Sequence, residues 1–347
     1  MTAMIPARLP EPAVVNFAGH DDELAWRLLN DFQRDFPLLP RPFAQLGASL
    51  GCSEAEVIER LRTLQAEGAV GRVGAVFAPR RIGASMLAAM RVAPARLDAV
   101  ATIVSGFAGV NHNYAREHAW NLWFVVTAPD ELALEGTLRR LRRDTACPLI
   151  TLPLLTEYHI DLGFDLASGA RPAPSAMRPV TPARVPEGAE AALIAALEGG
   201  LPLRCRPFAA LAQRAAMRES QVIALLRGWH ADGTLKRFGV VVRHHELGFR
   251  ANAMCVWNVP DGRVDAFGMR LAACAGVNLC YRRRRAAGRW PYNLYCMIHG
   301  RDRGAVRERI ARIAEASGLA GFDAEVLFST RRYKQCGARY VAVAANG

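Results

Sequence analysis

Two stretches of the chain concentrate side chains able to move protons, grip anions and cover a flat ligand. The first reads Val110-Asn111-His112-Asn113-Tyr114-Ala115-Arg116-Glu117-His118, followed by Trp120-Asn121-Leu122-Trp123-Phe124. The second reads Cys280-Tyr281-Arg282-Arg283-Arg284-Arg285, followed by Trp290-Pro291-Tyr292-Asn293-Leu294-Tyr295-Cys296-Met297-Ile298-His299-Gly300. Imidazole changes charge near neutral pH and can therefore carry a proton. Guanidinium grips carboxylate or phosphate through paired N–H donors. His112 and His118 both fall on even positions, so a regular strand places them on one side. Neither stretch contains a Gly-rich dinucleotide motif, a P-loop or a metal-ligand cluster.

These stretches answer one another. Arg41-Pro42-Phe43 recurs as Arg206-Pro207-Phe208, 165 residues later (206 − 41). Gly74 recurs as Gly239 at the same offset, and Arg72 as Arg237. Gly109-Val110-Asn111 then answers Gly276-Val277-Asn278 at 167 (276 − 109), and Tyr114 and Arg116 answer Tyr281 and Arg283. Asn121-Leu122 answers Asn293-Leu294 at 172 (293 − 121). Such a sustained offset marks a duplication. The copies share a frame but divide the histidines: His112 aligns with Leu279, and His244 aligns with Pro79. Two diverged halves of one fold can build a single asymmetric site at their seam.

Each copy carries the same element signals. Apolar residues at 24, 25, 28, 29 and 32 form one helix face, and Pro42 opens a second helix. Ser53 with Glu56 three residues on forms a capping box for a third helix, which Gly68 ends. Val70 to Phe77 then reads as a strand. This is the outline of a winged helix-turn-helix. The second copy repeats it with helices over 189–197, 207–215 and 219–230 and a strand over 234–242. A β-α-β-β-α-β pattern follows in each copy, a ferredoxin-like order. Copy one places its strands at 85–92, 110–116, 120–127 and 149–158; copy two at 253–259, 276–282, 290–300 and 322–328.

The expected fold is therefore α+β, a tandem duplication forming an intramolecular pseudo-dimer. Its expected divisions are a tail over 1–21, winged helix units over 22–78 and 188–243, and ferredoxin-like units over 79–168 and 244–341. A Pro-rich linker over 169–187 joins the halves.

Charge and composition narrow the partners. The chain has 347 residues, 51% of them hydrophobic, and a formal net charge of +12. Residues 188–347 hold 25 Lys and Arg against 12 Asp and Glu, whereas residues 1–187 hold 19 against 20. A basic second half calls for an anionic partner, either nucleic acid or a polyacidic small molecule. The third helix of the first copy argues against DNA: Glu54, Glu56, Glu59 and Glu67 outnumber Arg60 and Arg62 and would repel phosphate. No run approaches 18 apolar residues, so no membrane span is expected. Six of the 8 cysteines fall in the second copy, without CxxC spacing. Reduced thiols in a cytoplasmic setting are the expectation, and the first 12 residues do not read as a signal peptide.

A winged helix followed by a ferredoxin-like unit resembles the Lrp/AsnC family of regulators. The two chemical stretches, together with Arg243-His244-His245-Glu246-Leu247-Gly248-Phe249-Arg250-Ala251-Asn252-Ala253-Met254, resemble something narrower. They are similar to the two subunit types of sirohaem decarboxylases, fused as in the NirD–NirL type. That resemblance implies a carboxy-lyase acting on sirohaem, an iron macrocycle with four acetate and four propionate groups. Two acetates, at C12 and C18, would lose carbon dioxide, giving 12,18-didecarboxysirohaem on the path to haem d1. The iron would arrive with the substrate, so no separate cofactor is expected. No DNA or membrane partner is expected, and the resemblance leaves room for homologous decarboxylase subunits or a homo-oligomer.

Within that resemblance His112, His118 and His244 are the candidate proton donors. Arg72, Tyr114, Arg116, Trp120, Asn121, Arg237, Tyr281, Arg283, Trp290, Asn293 and His299 are the candidate substrate contacts. Plainer roles compete with each. His112 and His118 fit a surface, His299 and the aromatic residues fit a core, and Arg72 and Arg237 could simply join wing to sheet. A DNA-binding regulator and a non-catalytic haem carrier are the alternative functions. One departure stands out: second-type subunits often carry Ser-His before Cys-Tyr, where this chain has Asn278-Leu279.

Overall fold

The computed structural model describes residues 22–79, 81–160, 163, 166, 178–179, 184–243 and 246–341. The tail over 1–21, most of the linker and His244 lie outside the described residues.

The first helical unit comprises α1 (Glu23–Asn30), α2 (Pro42–Leu50) and α3 (Glu54–Ala66), followed by β1 (Val70–Phe77). Each boundary has a local cause. Asp22 accepts from Ala25 N at 2.8 Å to start α1. Gly51 ends α2 with φ at 73°, a conformation open to glycine at little cost. The expected capping box opens α3, with Ser53 and Glu56 satisfying each other's backbone N–H groups. The second unit repeats this as α6 (Gly188–Glu198), α7 (Pro207–Arg214), α8 (Glu219–Ala231) and β8 (Leu235–Val242), the numbers continuing past the elements given next.

The wing strands have an unexpected partner. β1 and β8 pair with each other, antiparallel, with Gly74 opposite Gly239 and Val73 opposite Val240. Gly74 and Gly239, 165 residues apart (239 − 74), thus face each other, which places the pseudo-two-fold axis of the duplication at this pair. Both helical units share one apolar core that includes Leu28, Phe43, Leu61, Phe208, Leu226 and Phe238.

The first ferredoxin-like unit has β2 (Ala84–Met90), α4 (Leu97–Gly106), β3 (Val110–Arg116), β4 (Leu122–Ala128), α5 (Glu131–Thr145), β5 (Leu149–Leu152) and β6 (Leu154–Ile160). A two-residue strand, β7 (Arg178–Pro179), follows. The second unit has β9 (Ala251–Trp257), α9 (Val264–Ala273), β10 (Val277–Arg283), β11 (Leu294–Gly300), α10 (Arg303–Ser317) and β12 (Ala324–Gln335).

The last strand of each unit is shared between the halves. The strand expected over 149–158 is split at Pro153: β5 pairs with β2 of its own half, and β6 crosses to β10 of the other. Proline lacks the N–H that a continuous ladder would use. Reciprocally, the strand expected to end at residue 328 runs on to Gln335. Residues 324–328 pair with β9 and residues 329–335 with β3. The strand order is β5-β2-β4-β3-β12-β9-β11-β10-β6-β7, and the chain at Pro153 joins its first strand to β6.

Each crossing strand is fastened by a tyrosine. Tyr158 donates to Asp265 on α9, and Tyr333 donates to Asp98 on α4. Separate apolar clusters lie under the helices of each half. A fourth, including Leu87, Trp123, Met254, Tyr281, Trp290 and Tyr295, draws on both halves at their seam.

Candidate active site

A cavity of about 390 Å³ opens at this seam. Its walls follow from strand periodicity. His112, Tyr114 and Arg116 alternate along β3 and share one face. Arg250, Asn252 and Met254 do the same along and just before β9, as do Met297 and His299 on β11 and Leu279 and Tyr281 on β10. The crossing portion of β12 adds Arg331, Arg332 and Gln335. Both copies therefore line one space, with apolar and aromatic walls and a cationic margin.

The β3 face is ordered by stacking. The rings of His112 and Tyr114 lie 6.3 Å apart at 15°, and the Arg116 guanidinium stands 5.7 Å from the centre of the Tyr114 ring. Burial, and next the charge of Arg72, hold His112 down at about 4. Its resting form is thus neutral. Arg116 is buried and lowered to about 10 by that burial, so it remains cationic at neutral pH.

Arg116 begins a hydrogen-bonded chain across the seam. Its Nη2 donates to Asn252 Oδ1 at 3.1 Å, and its Nη1 to the Leu327 carbonyl at 2.8 Å. With its oxygen taken, Asn252 donates through Nδ2 to His299 Nε2 at 2.7 Å. His299 Nδ1 then donates to Asn278 Oδ1 at 2.9 Å. This fixes His299 as the neutral Nδ1–H tautomer. Burial, followed by the Arg116 charge, holds it at about 4.

Three arginines mark the margin. Arg331 is tied to Asp98 through both carboxylate oxygens at 2.8 Å, and Arg332 to Glu246 at 2.5 Å. Arg250 is exposed and has no ion pair among the described residues.

Of the sequence candidates, His112, Tyr114, Arg116, Tyr281 and His299 meet in this cavity. Others do not. His118 sits at the β3–β4 turn, where its Nδ1 accepts from Trp120 N at 2.9 Å and its ring meets the Trp290 edge at 5.2 Å. Trp290 is core, donating to the Tyr295 hydroxyl at 2.7 Å, and Trp120 is buried beneath Arg91. Asn121 clamps both backbone groups of Val92, at 3.0 and 2.8 Å, and Asn293 does the same for Val259 at the same distances. These two amides hold the fold rather than face the cavity.

The expected arginines divide likewise. Arg283 lies outside the cavity; it donates to the Leu152 carbonyl at 2.7 Å and stacks on Tyr281 at 4.6 Å. Arg237 is buried and donates to the Gln33 carbonyl at 2.6 Å. Arg72 stands behind His112 in a second cavity. Arg282 and Arg285 are committed to Asp261, at 3.1 and 2.7 Å.

Sequence reasoning missed Arg250, Asn252, Arg331 and Arg332. The first two lie in the 243–254 motif and share the period-two face of β9. The last two required knowing that β12 continues into the other half. Among the described residues no group of three or more His, Cys, Asp or Glu is placed to hold a metal ion. No described helix is long and apolar enough to cross a membrane.

Comparison with known proteins agrees with this architecture. Residues 26–70 and 190–235 match the family described as "Siroheme decarboxylase NirDL-like HTH domain". Residues 81–159 and 246–334 match the AsnC-like ligand binding domain. The chain is 47% identical to the siroheme decarboxylase NirDL subunit of Paracoccus pantotrophus, covering 93% of this chain and 99% of that one. The crystal structure of the siroheme decarboxylase NirDL is similar with a TM-score of 0.67 at 27% identity, covering 92% of this chain and 94% of that one. The same enzyme in complex with an iron-uroporphyrin III analogue gives a TM-score of 0.65 at 27% identity, covering 92% and 93%.

Proposed function

This chain belongs to the sirohaem decarboxylase family of NirDL type and is a carboxy-lyase; from that premise we propose how the seam cavity acts. The substrate is sirohaem, seated in the seam cavity with its ring against Tyr114, Tyr281, Leu87, Met254 and Met297. Arg116 and Arg250 anchor carboxylates, and Arg331 and Arg332 add positive field at the margin. The reaction removes carbon dioxide from the acetates at C12 and C18, giving 12,18-didecarboxysirohaem. The solved relative's complex with an iron-uroporphyrin analogue supports a macrocycle as ligand.

The chemistry follows from the acetate itself. When R–CH2–COO⁻ loses carbon dioxide, the C–C bonding pair passes into the pyrrole system. The methylene carbon then takes one proton and becomes a methyl group. His112 supplies that proton. In the empty site it is neutral, but a seated polyanion favours imidazolium, because opposite charges at close range raise a histidine pKa. The resulting acid faces the carbon in a water-poor space.

His299 has a different role. Both its nitrogens are engaged, one as acceptor from Asn252 and one as donor to Asn278, so it positions Arg116 through Asn252. One observation carries this reading: His112 and His299 come from different copies and meet in one cavity, while their counterparts by the repeat offsets are Leu279 (112 + 167) and Thr127 (299 − 172). Such a split serves a single composite site. Anaerobic incubation of the purified chain with sirohaem, followed by product mass, tests it. Loss of two carbon dioxide units is expected; binding without mass loss would favour a carrier instead.

A further inference from the structure

We infer that the second cavity, behind His112, is a hydrated antechamber through which His112 recovers its proton while the macrocycle stays seated, with Glu198 as the outer relay. The inference rests on the decarboxylase reading above. His112 and Gln335 belong to the walls of both cavities. The second one, of about 350 Å³, lies between the helical layer and the sheets.

Three polar atoms on residues of its wall point to water. Arg72 Nε, Asn111 Oδ1 and Glu198 Oε1 are buried and have no hydrogen-bond partner within the protein. Leaving a buried polar atom unpaired costs about 1–3 kcal/mol. A polar space of this size accommodates several water molecules, each needing two to four such partners. Glu198 lines the chamber and reaches solvent, its own side chain being 19% exposed, 3.8 Å from Arg339. Burial raises the Glu198 pKa, with Arg339 opposing, so this carboxyl keeps a proton at higher pH than a solvated one.

The stoichiometry of the reaction demands such a route. Each acetate releases one carbon dioxide and consumes one proton, so two acetates consume two. His112 holds one. Once a macrocycle covers the front cavity, water reaches His112 only from behind. The burial that, with the Arg72 charge second, keeps the resting imidazole neutral also makes its protonated form a strong donor that must be reloaded. A proton passes from Glu198 through chamber water to His112, and Glu198 is reprotonated from solvent. Glu198 touches neither substrate nor iron and acts only through His112.

The experiment is single-turnover incubation of the full chain with sirohaem under anaerobic conditions, with product mass followed over time. Glu198→Gln removes the relay proton. Gly199→Leu is an independent plug: Gly199 lines the chamber, and a Cβ added there meets no atom within 4 Å. Both variants should release the first carbon dioxide at the wild-type rate and slow the second by about tenfold or more, accumulating the monodecarboxylated species. Glu198→Asp should restore the second step. Wild-type progress through both steps in the two variants overturns the inference, as does equal slowing of both steps. If Glu198→Gln does not fold, Gly199→Leu alone decides. No release by the wild-type chain would instead overturn the decarboxylase reading itself.

Discussion

Arg116 and Arg283 occupy equivalent positions in the two copies, and each donates to a main-chain carbonyl of the opposite half. Arg116 reaches Leu327 at 2.8 Å, and Arg283 reaches Leu152 at 2.7 Å. Only Arg116 also lines the cavity. The shared role is structural, and the proposed contact with substrate is Arg116's alone. Arg283→Ala should therefore lower stability by about 1–3 kcal/mol, the cost of an unpaired buried carbonyl, while leaving sirohaem affinity within a few-fold. Arg116→Ala should lose stability and affinity together. Urea unfolding beside sirohaem titration separates the two; equal affinity losses would contradict the division.

His112 has a natural replacement in its own counterpart, Leu279. His112→Leu should fold normally, because the same strand position already carries leucine in the second copy. It should bind sirohaem yet lose about 10²- to 10⁴-fold in the rate of carbon dioxide release, the range for a removed general acid. A variant of unchanged rate would remove His112 from the chemistry.

Much of this architecture was legible in the sequence. The capping box at Ser53, the helix start at Pro42 and the alternation through β3 are local signals, and local physics decides them. The cavity positions of His112, Tyr114 and Arg116 follow from that alternation. The crossing strands were not legible, because which half a strand pairs with is a long-range choice. Residues 329–335 look like a polar exit from the fold until β3 of the other half supplies their partner. Trp120 and Trp290 were misplaced because a large ring fits either the seam core or a ligand wall. Asn121 and Asn293 mislead for another reason. Their recurrence in both copies marks importance, but what recurs here is the backbone clamp that both copies need. His112, Asn252 and His299 recur nowhere, and all three line the cavity.

The two neutral imidazoles make stability depend on pH. Both are held near 4 in the folded chain, against an ordinary value of 6.5. Between those values the unfolded chain binds more protons, so stability rises with pH and is lost as pH falls from 6.5 towards 4. Each imidazole contributes on the order of 3 kcal/mol to that loss. His112→Leu should remove its share and flatten the curve in this window. Urea midpoints at pH 4.5 and 7 for both proteins measure it; parallel curves would mean that His112 is solvated and protonates freely.

The crossing of β6 onto the second half depends on a glycine. A Cβ at Gly268 would stand 2.3 Å from Tyr158 Cε2 and 2.4 Å from its Cζ, so α9 accepts the Tyr158 ring only where no side chain intervenes. Tyr158 also donates to Asp265 one turn earlier on the same helix, which leaves the ring little room to retreat. Gly268→Ala should cost about 1–3 kcal/mol by overpacking. Gly106, at the end of α4, has no atom within 4 Å of the equivalent point, and Gly106→Ala should be neutral or stabilising by about 0.5–1 kcal/mol. Because Tyr158 belongs to the strand that closes the seam, Gly268→Ala should also weaken sirohaem binding although it lies outside the cavity. Denaturation midpoints for both variants with and without sirohaem test the coupling. A Gly268→Ala protein as stable as Gly106→Ala would show that the two halves do not need this contact to close.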